Sequence, residues 1–402
     1  MRILHVIGWI NFVDGGPPVI ATRLAAAQAA VGHQVSIASY SSDDDPITLN
    51  RLTSVPNWNL VMWHRFPPCG RVERLRGTDA ARHLAPLIEA ADVVHLHNVW
   101  EGILIRAANL ARRERKPYVI LLNGMLEPWS LTKGRFKKRL ALSLTHRRML
   151  QGSALLQLGN ADEEKSVRAM GITAPAAVIP NGVSLDEIDP LPSRGEFFAA
   201  HPALAGRRFV LFLGRLHRQK GVDYLVDAFA ELAPRHPGVD LVIAGPDGGA
   251  QADLTRRIDA AKLGDRCHLI GPVYGREKFA AMVDCECFVL PSRHEGFSVA
   301  LLEAMACGAP VVASTACHFP DIASGGAGEV VELSAGNLAA AMGRIVSDPE
   351  RSRMGQRGRT LVESQYTWHQ AAVRTIAAYK GALSRQNRPS GSSSAPGIPG
   401  ED

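Results

Sequence analysis

Four charged residues in the second half of the 402-residue chain have the types and spacing to hold a sugar diphosphate. An apolar run at 209–213 reads as a buried strand, followed at once by Gly214, Arg215, Lys220 and Gly221. A fixed guanidinium and a mobile ammonium at a strand's carboxyl end can clamp a diphosphate; taken alone, the segment reads equally as a solvated basic turn. A second run, 288–290, leads through Pro291 and Ser292 to Glu295 and then into a helix that carries Glu303. The main-chain amides of Gly296, Phe297, Ser298 and Val299 at the head of that helix would form an anion site with no side chain required. A carboxylate there would repel phosphate, so Glu295 is expected on sugar hydroxyls and Glu303 on a ribose diol. Singly, each acid would be a cap or a surface residue of a helix. Two of them, eight positions apart after a strand, point to a ligand.

These loops need a rigid frame, and the chain supplies a repeated one. Short apolar runs at 3–7, 35–39, 93–97, 118–122, 154–158 and 177–179 alternate with amphipathic stretches, the βαβ rhythm of a parallel sheet. Turn chemistry at 180–183 and 189–193 breaks the rhythm. It restarts at 209–213, 240–244, 267–270, 287–290, 310–313 and 329–331. The reading is an α/β protein of two doubly wound units, each bringing strand carboxyl ends to a crevice. The first is placed at 1–185 and the second at 186–366, with a helix at about 367–384 packing back on the first and a disordered tail at 388–402.

Hydrophobic residues at 46% and charged residues at 21% fit a globular chain rather than a disordered or fibrous one, and no apolar run reaches membrane-spanning length. The apolar opening 1–10 is expected to be a buried strand rather than a leader. None of the six cysteines forms a Cys-x-x-Cys pair, so free thiols in a reducing cytoplasm are expected, with no metal. The formal charge of +6 suits an anionic ligand or a lipid surface as well as nucleic acid, so the sum alone selects no partner; nucleic acid is not among the partners expected.

The Glu295/Glu303 pair, together with Gly214-Arg215 and Lys220-Gly221, resembles the retaining GT-B glycosyltransferases of family 4. The likeness runs over nearly the whole chain, through Gly15-Gly16, His95-Leu96-His97, Asn181-Gly182-Val183 and Gly245-Pro246-Asp247. It looks closest to bacterial members that build exopolysaccharide or lipid-linked glycans. The resemblance implies two Rossmann-like domains facing a central cleft. It also implies transfer of a hexose, with retained configuration, from a nucleotide-sugar donor to a glycan or lipid-linked acceptor in cell-surface polysaccharide synthesis. Arg215, Lys220 and Glu295 would be the catalytic set, Glu303 would bind the ribose and the backbone around Val273 the base. Gly15 and Gly16 would let the first loop approach the phosphate. No cofactor is implied, because the two cations replace a metal; Asp43-Asp44-Asp45 reads as a polar loop. A sugar-nucleotide epimerase on the same fold stays open as an alternative.

One residue departs from the family pattern. Asn123-Gly124 stands where members read His-Gly, so the donor-side imidazole becomes an amide that cannot carry a proton at neutral pH. A donor-binding protein with impaired transfer is therefore a further alternative. His95, His97 and Trp100 are candidates for the acceptor side, although packed structural histidines fit the strand as well. The stretch 133–148 carries seven cations and no acid, with Phe136, Leu140 and Leu144 at helical spacing. It reads as a helix lying on the inner face of the membrane or, as readily, as a solvated helix face.

Overall fold

Apolar runs of three to five residues joined by long amphipathic stretches pair side by side in parallel, because each return takes a crossover helix. A computed structural model describes residues 1–12, 16–41, 46–127 and 145–386. Gly15, the three aspartates 43–45, residues 133–144 of the expected basic helix and the expected tail at 388–402 lie outside the described residues.

Among the described residues the chain forms two all-parallel sheets. The first holds β1 (Arg2–Trp9), β2 (Gln34–Tyr40), β3 (Val61–Phe66), β4 (Val93–His97), β5 (Tyr118–Leu121), β6 (Leu155–Leu158) and β7 (Ala176–Val178), in the order β3-β2-β1-β4-β5-β6-β7. The second holds β8 (Arg208–Leu213), β9 (Val239–Ala244), β10 (Cys267–Gly271), β11 (Cys287–Leu290), β12 (Val311–Ser314) and β13 (Gly328–Val331), in the order β10-β9-β8-β11-β12-β13. Both sheets reverse direction beside their first strand, so each has a crevice between the carboxyl ends of β1 and β4 or of β8 and β11. Two Rossmann-like domains are the result. Twelve strands fall within two residues of the runs expected from sequence. β3 was not expected, because His64 and Arg65 interrupt its apolar pattern; as an edge strand it needs only one buried face.

Each sheet has its own core. Phe209, Phe212, Phe229 and Phe288, all 0% exposed, centre the second, each contributing roughly 2–3 kcal/mol by burial. The helix Trp368–Gln386 follows the second domain in sequence but packs on the first. Trp368 and Ala371 meet Ile20, Leu24 and Leu121, and Ile376 and Tyr379 join Ile3, Val93 and Val119.

The expected acceptor-side histidines lie in this same core. His95 and His97 are 0% exposed and stack on His5 with ring centroids 4.6–5.1 Å apart. One ring nitrogen of each serves an internal partner: His5 Nδ1 meets His97 Nε2 at 2.8 Å, and His95 Nδ1 meets the Tyr379 hydroxyl at 2.5 Å. Gln28 joins His5 to Tyr379 at 2.8 and 3.1 Å. No acceptor can reach these imidazoles. Inward-facing positions of a central strand are buried on both faces, which the alternation of His95 and His97 did not reveal.

Burial keeps the trio neutral. It lowers His5 to about 4 and takes His95 and His97 well below the ordinary histidine range. The unfolded chain binds these protons near pH 6.5 and the folded chain does not, so their contribution is complete above that pH and falls as acid is added. For His5 alone the loss approaches about 3 kcal/mol by pH 4. Glu101 and Glu127, raised to about 7 and about 8, gain stability over the same window, so the trio's share is read as a difference: the melting temperature of the parent should fall more steeply between pH 6.5 and 4 than that of His5→Gln. Parallel profiles for the two chains would contradict neutral burial of the trio.

Candidate active site

The crevice of the second sheet is built from two loops. Strand β8 ends at Gly214, and Arg215 follows, exposed, with its stem laid against Gly248. A short 3-10 turn, Arg218–Lys220, then lifts Lys220 toward β11, with His217 capping it through the Gln219 amide at 3.1 Å. Gly221 closes the turn at φ 68°, and a Cβ there would lie 1.8 Å from the Pro291 carbonyl oxygen. Only glycine lets the two loops come this close.

The second loop leaves β11 through Pro291 and Ser292. Glu295 is 8% exposed, and its Oε1 accepts the Lys220 ammonium at 2.5 Å and the Ser292 hydroxyl at 2.6 Å. The cation and the acid singled out in the sequence therefore meet directly. Arg215 stands on the Lys220 loop, beside β11 through the pairing of Leu211 with Phe288. Arg293 is committed elsewhere, forked onto Asp223 at 2.6 and 2.7 Å.

The helix after Glu295 is Val299–Ala306, so the amino end lies three residues beyond Gly296. Ser298 caps it by accepting the Leu301 amide, and Phe297 packs its ring near Phe319 and Tyr366, at 5.2 and 6.0 Å. The Gly296 carbonyl accepts the Asn160 side chain from the opposite domain. Of the expected amide cradle, Val299 is the member at the helix terminus itself. Glu303 accepts Lys278 at 2.8 Å, a partner the sequence spacing did not indicate, and Val273 follows β10 with 5% exposure. Gly16 opens the helix Gly16–Ala30.

The first domain meets these loops through residues after β5. Asn123, at φ 52°, donates to Asn98 Oδ1 at 3.0 Å. A Cβ on Gly296 would stand 3.5–3.7 Å from the backbone of Asn123 and Gly124, which puts Asn123 under the loop that follows β11. Glu163 holds the turn by accepting the amides of Gly124 and Gly159 at 2.6 and 2.8 Å. Two carboxylate–imidazole contacts cross the cleft: Glu127 to His294 at 2.5 Å and Asp162 to His318 at 2.8 Å. Burial, aided by Glu163, pushes Glu127 up to about 8.

Glu101 belongs to the crevice of the first sheet and was missed. Its carboxylate accepts the Gly8 amide at 3.2 Å, where any larger residue would collide. Burial raises it to about 7 against the pull of that amide and of Arg74. Its position just past β4 was visible, but the adjacency of β1 and β4 was not. Trp100, expected beside the acceptor, is half-buried with its ring 5.3 Å from His146.

The carboxyl ends of two facing parallel sheets thus share one cleft, and known proteins share both halves of it. Residues 15–182 match the glycosyl transferase 4-like domain and residues 193–361 the glycosyl transferases group 1. A lipopolysaccharide core biosynthesis mannosyltransferase of Rhizobium meliloti is 30% identical over 61% of this chain and 69% of its own length. The chain belongs to the group 1 glycosyltransferases. A glycogen synthase of Mycobacterium tuberculosis is 27% identical over 97% of both chains, whereas an alpha-D-kanosaminyltransferase of Streptomyces kanamyceticus matches over only 46% of its length. In fold, this glycosyltransferase superposes on HepE of Anabaena, a structure holding UDP and glucose, with a TM-score of 0.73, 19% identity, and coverage of 95% of this chain and 100% of the other. No described helix is long and apolar enough to cross a membrane.

Proposed function

We propose that this glycosyltransferase moves a hexose with retained anomeric configuration to a glycan or lipid-linked acceptor, in the building of a cell-surface polysaccharide. The Lys220–Glu295 contact in the second crevice, facing Asn123, carries the reading. Lys220 and Arg215 stabilise charge on the departing diphosphate, which is where the barrier falls most. Glu295 grips hydroxyls of the transferred sugar, Glu303 the ribose, and the backbone at Val273 the base. Glu101, in the facing crevice, orients the acceptor hydroxyl. That hydroxyl attacks the anomeric carbon on the face the diphosphate leaves, and its proton passes to the leaving phosphate oxygen. The two cations do the work of a metal in this step. The protein works in the cytoplasm, and residues 133–148 rest it on the inner membrane face; co-sedimentation with anionic vesicles at low salt tests that contact.

Proton NMR of the product decides the stereochemistry: the anomeric coupling should match that of the donor, and an inverted coupling would rule out retention. A panel of nucleotide sugars scored by rise in melting temperature identifies the donor. Asn123→His restores an imidazole at a backbone position, φ 52°, that His also tolerates. It should raise nucleoside diphosphate release about tenfold, less than the 10²- to 10⁴-fold of a fully positioned acid–base group. Unchanged release would show that Asn123 is no handicap.

A further inference from the structure

Next to the donor loop, but outside the groups assigned to the reaction, lies a cluster with the chemistry of a metal centre. Glu127, His294 and His318 each offer one ligand atom, and the three atoms lie within 4.8 Å of one another. Two imidazoles and one carboxylate are a recurrent three-residue set for zinc, leaving a fourth position open. A carboxylate oxygen and two ring nitrogens also favour zinc over magnesium or calcium, which take oxygen ligands.

Three further observations point the same way. Glu127 is 2% exposed, and neither of its oxygens accepts a well-formed hydrogen bond. A carboxyl so placed is costly as an anion and holds its proton unless a cation joins it. His318 Nδ1 is engaged by Asp162 at 2.8 Å, which fixes the tautomer and leaves Nε2 for a metal, as carboxylate–histidine–metal chains require. The imidazoles of His294 and His318 are 13% and 23% exposed, so an ion can enter from solvent.

We propose that Glu127, His294 and His318 bind one zinc ion that bridges the two domains, with Asp162 as the positioning residue for His318. Glu127 and Asp162 come from the first domain and the two histidines from the second, so the ion binds the closed cleft and not the open one. A ligand that favours one of two states shifts the population toward it by its differential affinity. Zinc is thus a closing ligand for the cleft, and a brake on donor exchange.

Titration of the metal-stripped, untagged full chain with zinc chloride should give one site per chain with sub-micromolar Kd. Glu127→Gln and His318→Ala should each weaken it at least about 10²-fold, and Asp162→Asn by about 10–10²-fold. Zinc should reduce the radius of gyration by solution scattering in the parent chain and leave it unchanged in His318→Ala. Circular dichroism of each metal-free variant establishes that it is folded, and Asp162→Asn, at the surface, carries the test should Glu127→Gln misfold. Zinc binding undiminished in His318→Ala and Asp162→Asn would overturn the proposal, placing the ion elsewhere, for instance at His5, His95 and His97. Stoichiometric binding without compaction would overturn the bridging role. Neither readout depends on transferase activity, so failure of the proposed reaction leaves this result standing on its own.

Discussion

Lys220→Ala should lower kcat by about 10²- to 10³-fold, the scale of losing one donor to a developing anion, and should be worse than Arg215→Ala. The two cations differ in what they leave behind. Arg215 is exposed, so on the proposed mechanism its removal subtracts positive charge from the diphosphate and leaves no buried acid unpaired. Lys220 also neutralises Glu295, whose carboxylate is 8% exposed and shares Oε1 between the ammonium and Ser292. Without the ammonium, a nearly buried anion faces an incoming diphosphate. Donor binding should therefore weaken along with turnover in Lys220→Ala. Arg215→Ala should cost about 10²-fold, mainly in kcat. Steady-state kinetics on folded, purified variants with one donor separate these patterns. Near-normal turnover in both would remove the diphosphate clamp from the mechanism.

Gly221→Ala should be the most damaging single methyl in the donor loops. At φ 68° an L-residue already costs about 1–2 kcal/mol, and the added Cβ would sit 1.8 Å from the Pro291 oxygen. One loop must withdraw from the other. We expect a loss of about 3 kcal/mol in stability, within the range for strain at a special backbone position. Because the turn carrying Lys220 then moves relative to Glu295, turnover should fall by about 10²-fold. Denaturant unfolding and kinetics on the same sample would test both, and a variant with parental midpoint and parental kcat would show that the loops are not held by this contact.

Much of the frame was legible because buried parallel strands are apolar on both faces and stand out as short runs. The two loops of the second crevice were legible for a different reason: their residues follow strand ends closely, so position in the chain predicts position in the crevice. What escaped needed knowledge of three-dimensional adjacency. His95 and His97 look like residues at a strand's functional end. Their role became clear only once His5 on β1 and Tyr379 on the last helix were brought beside them. Glu101 matters because β1 lies next to β4, an order no local pattern encodes. Likewise Glu127 and Asp162 acquire partners only when the domains face each other. The edge strand β3 escaped because one solvated face dilutes its apolar signal.

The return of the last helix has a mechanical outcome. The polypeptide passes between the domains twice, and the two passages touch: Val183 donates to the Tyr366 carbonyl at 2.9 Å and accepts the Trp368 amide at 3.1 Å. A paired strap of this kind bends like a door hinge and resists swivelling, so the jaws can part and meet again in one register. The halves are also not separable at the outgoing passage alone. A fragment ending near residue 185 would lack the tyrosine that seals its own histidine stack, and to stand alone it would need residues 368–386 joined back to it.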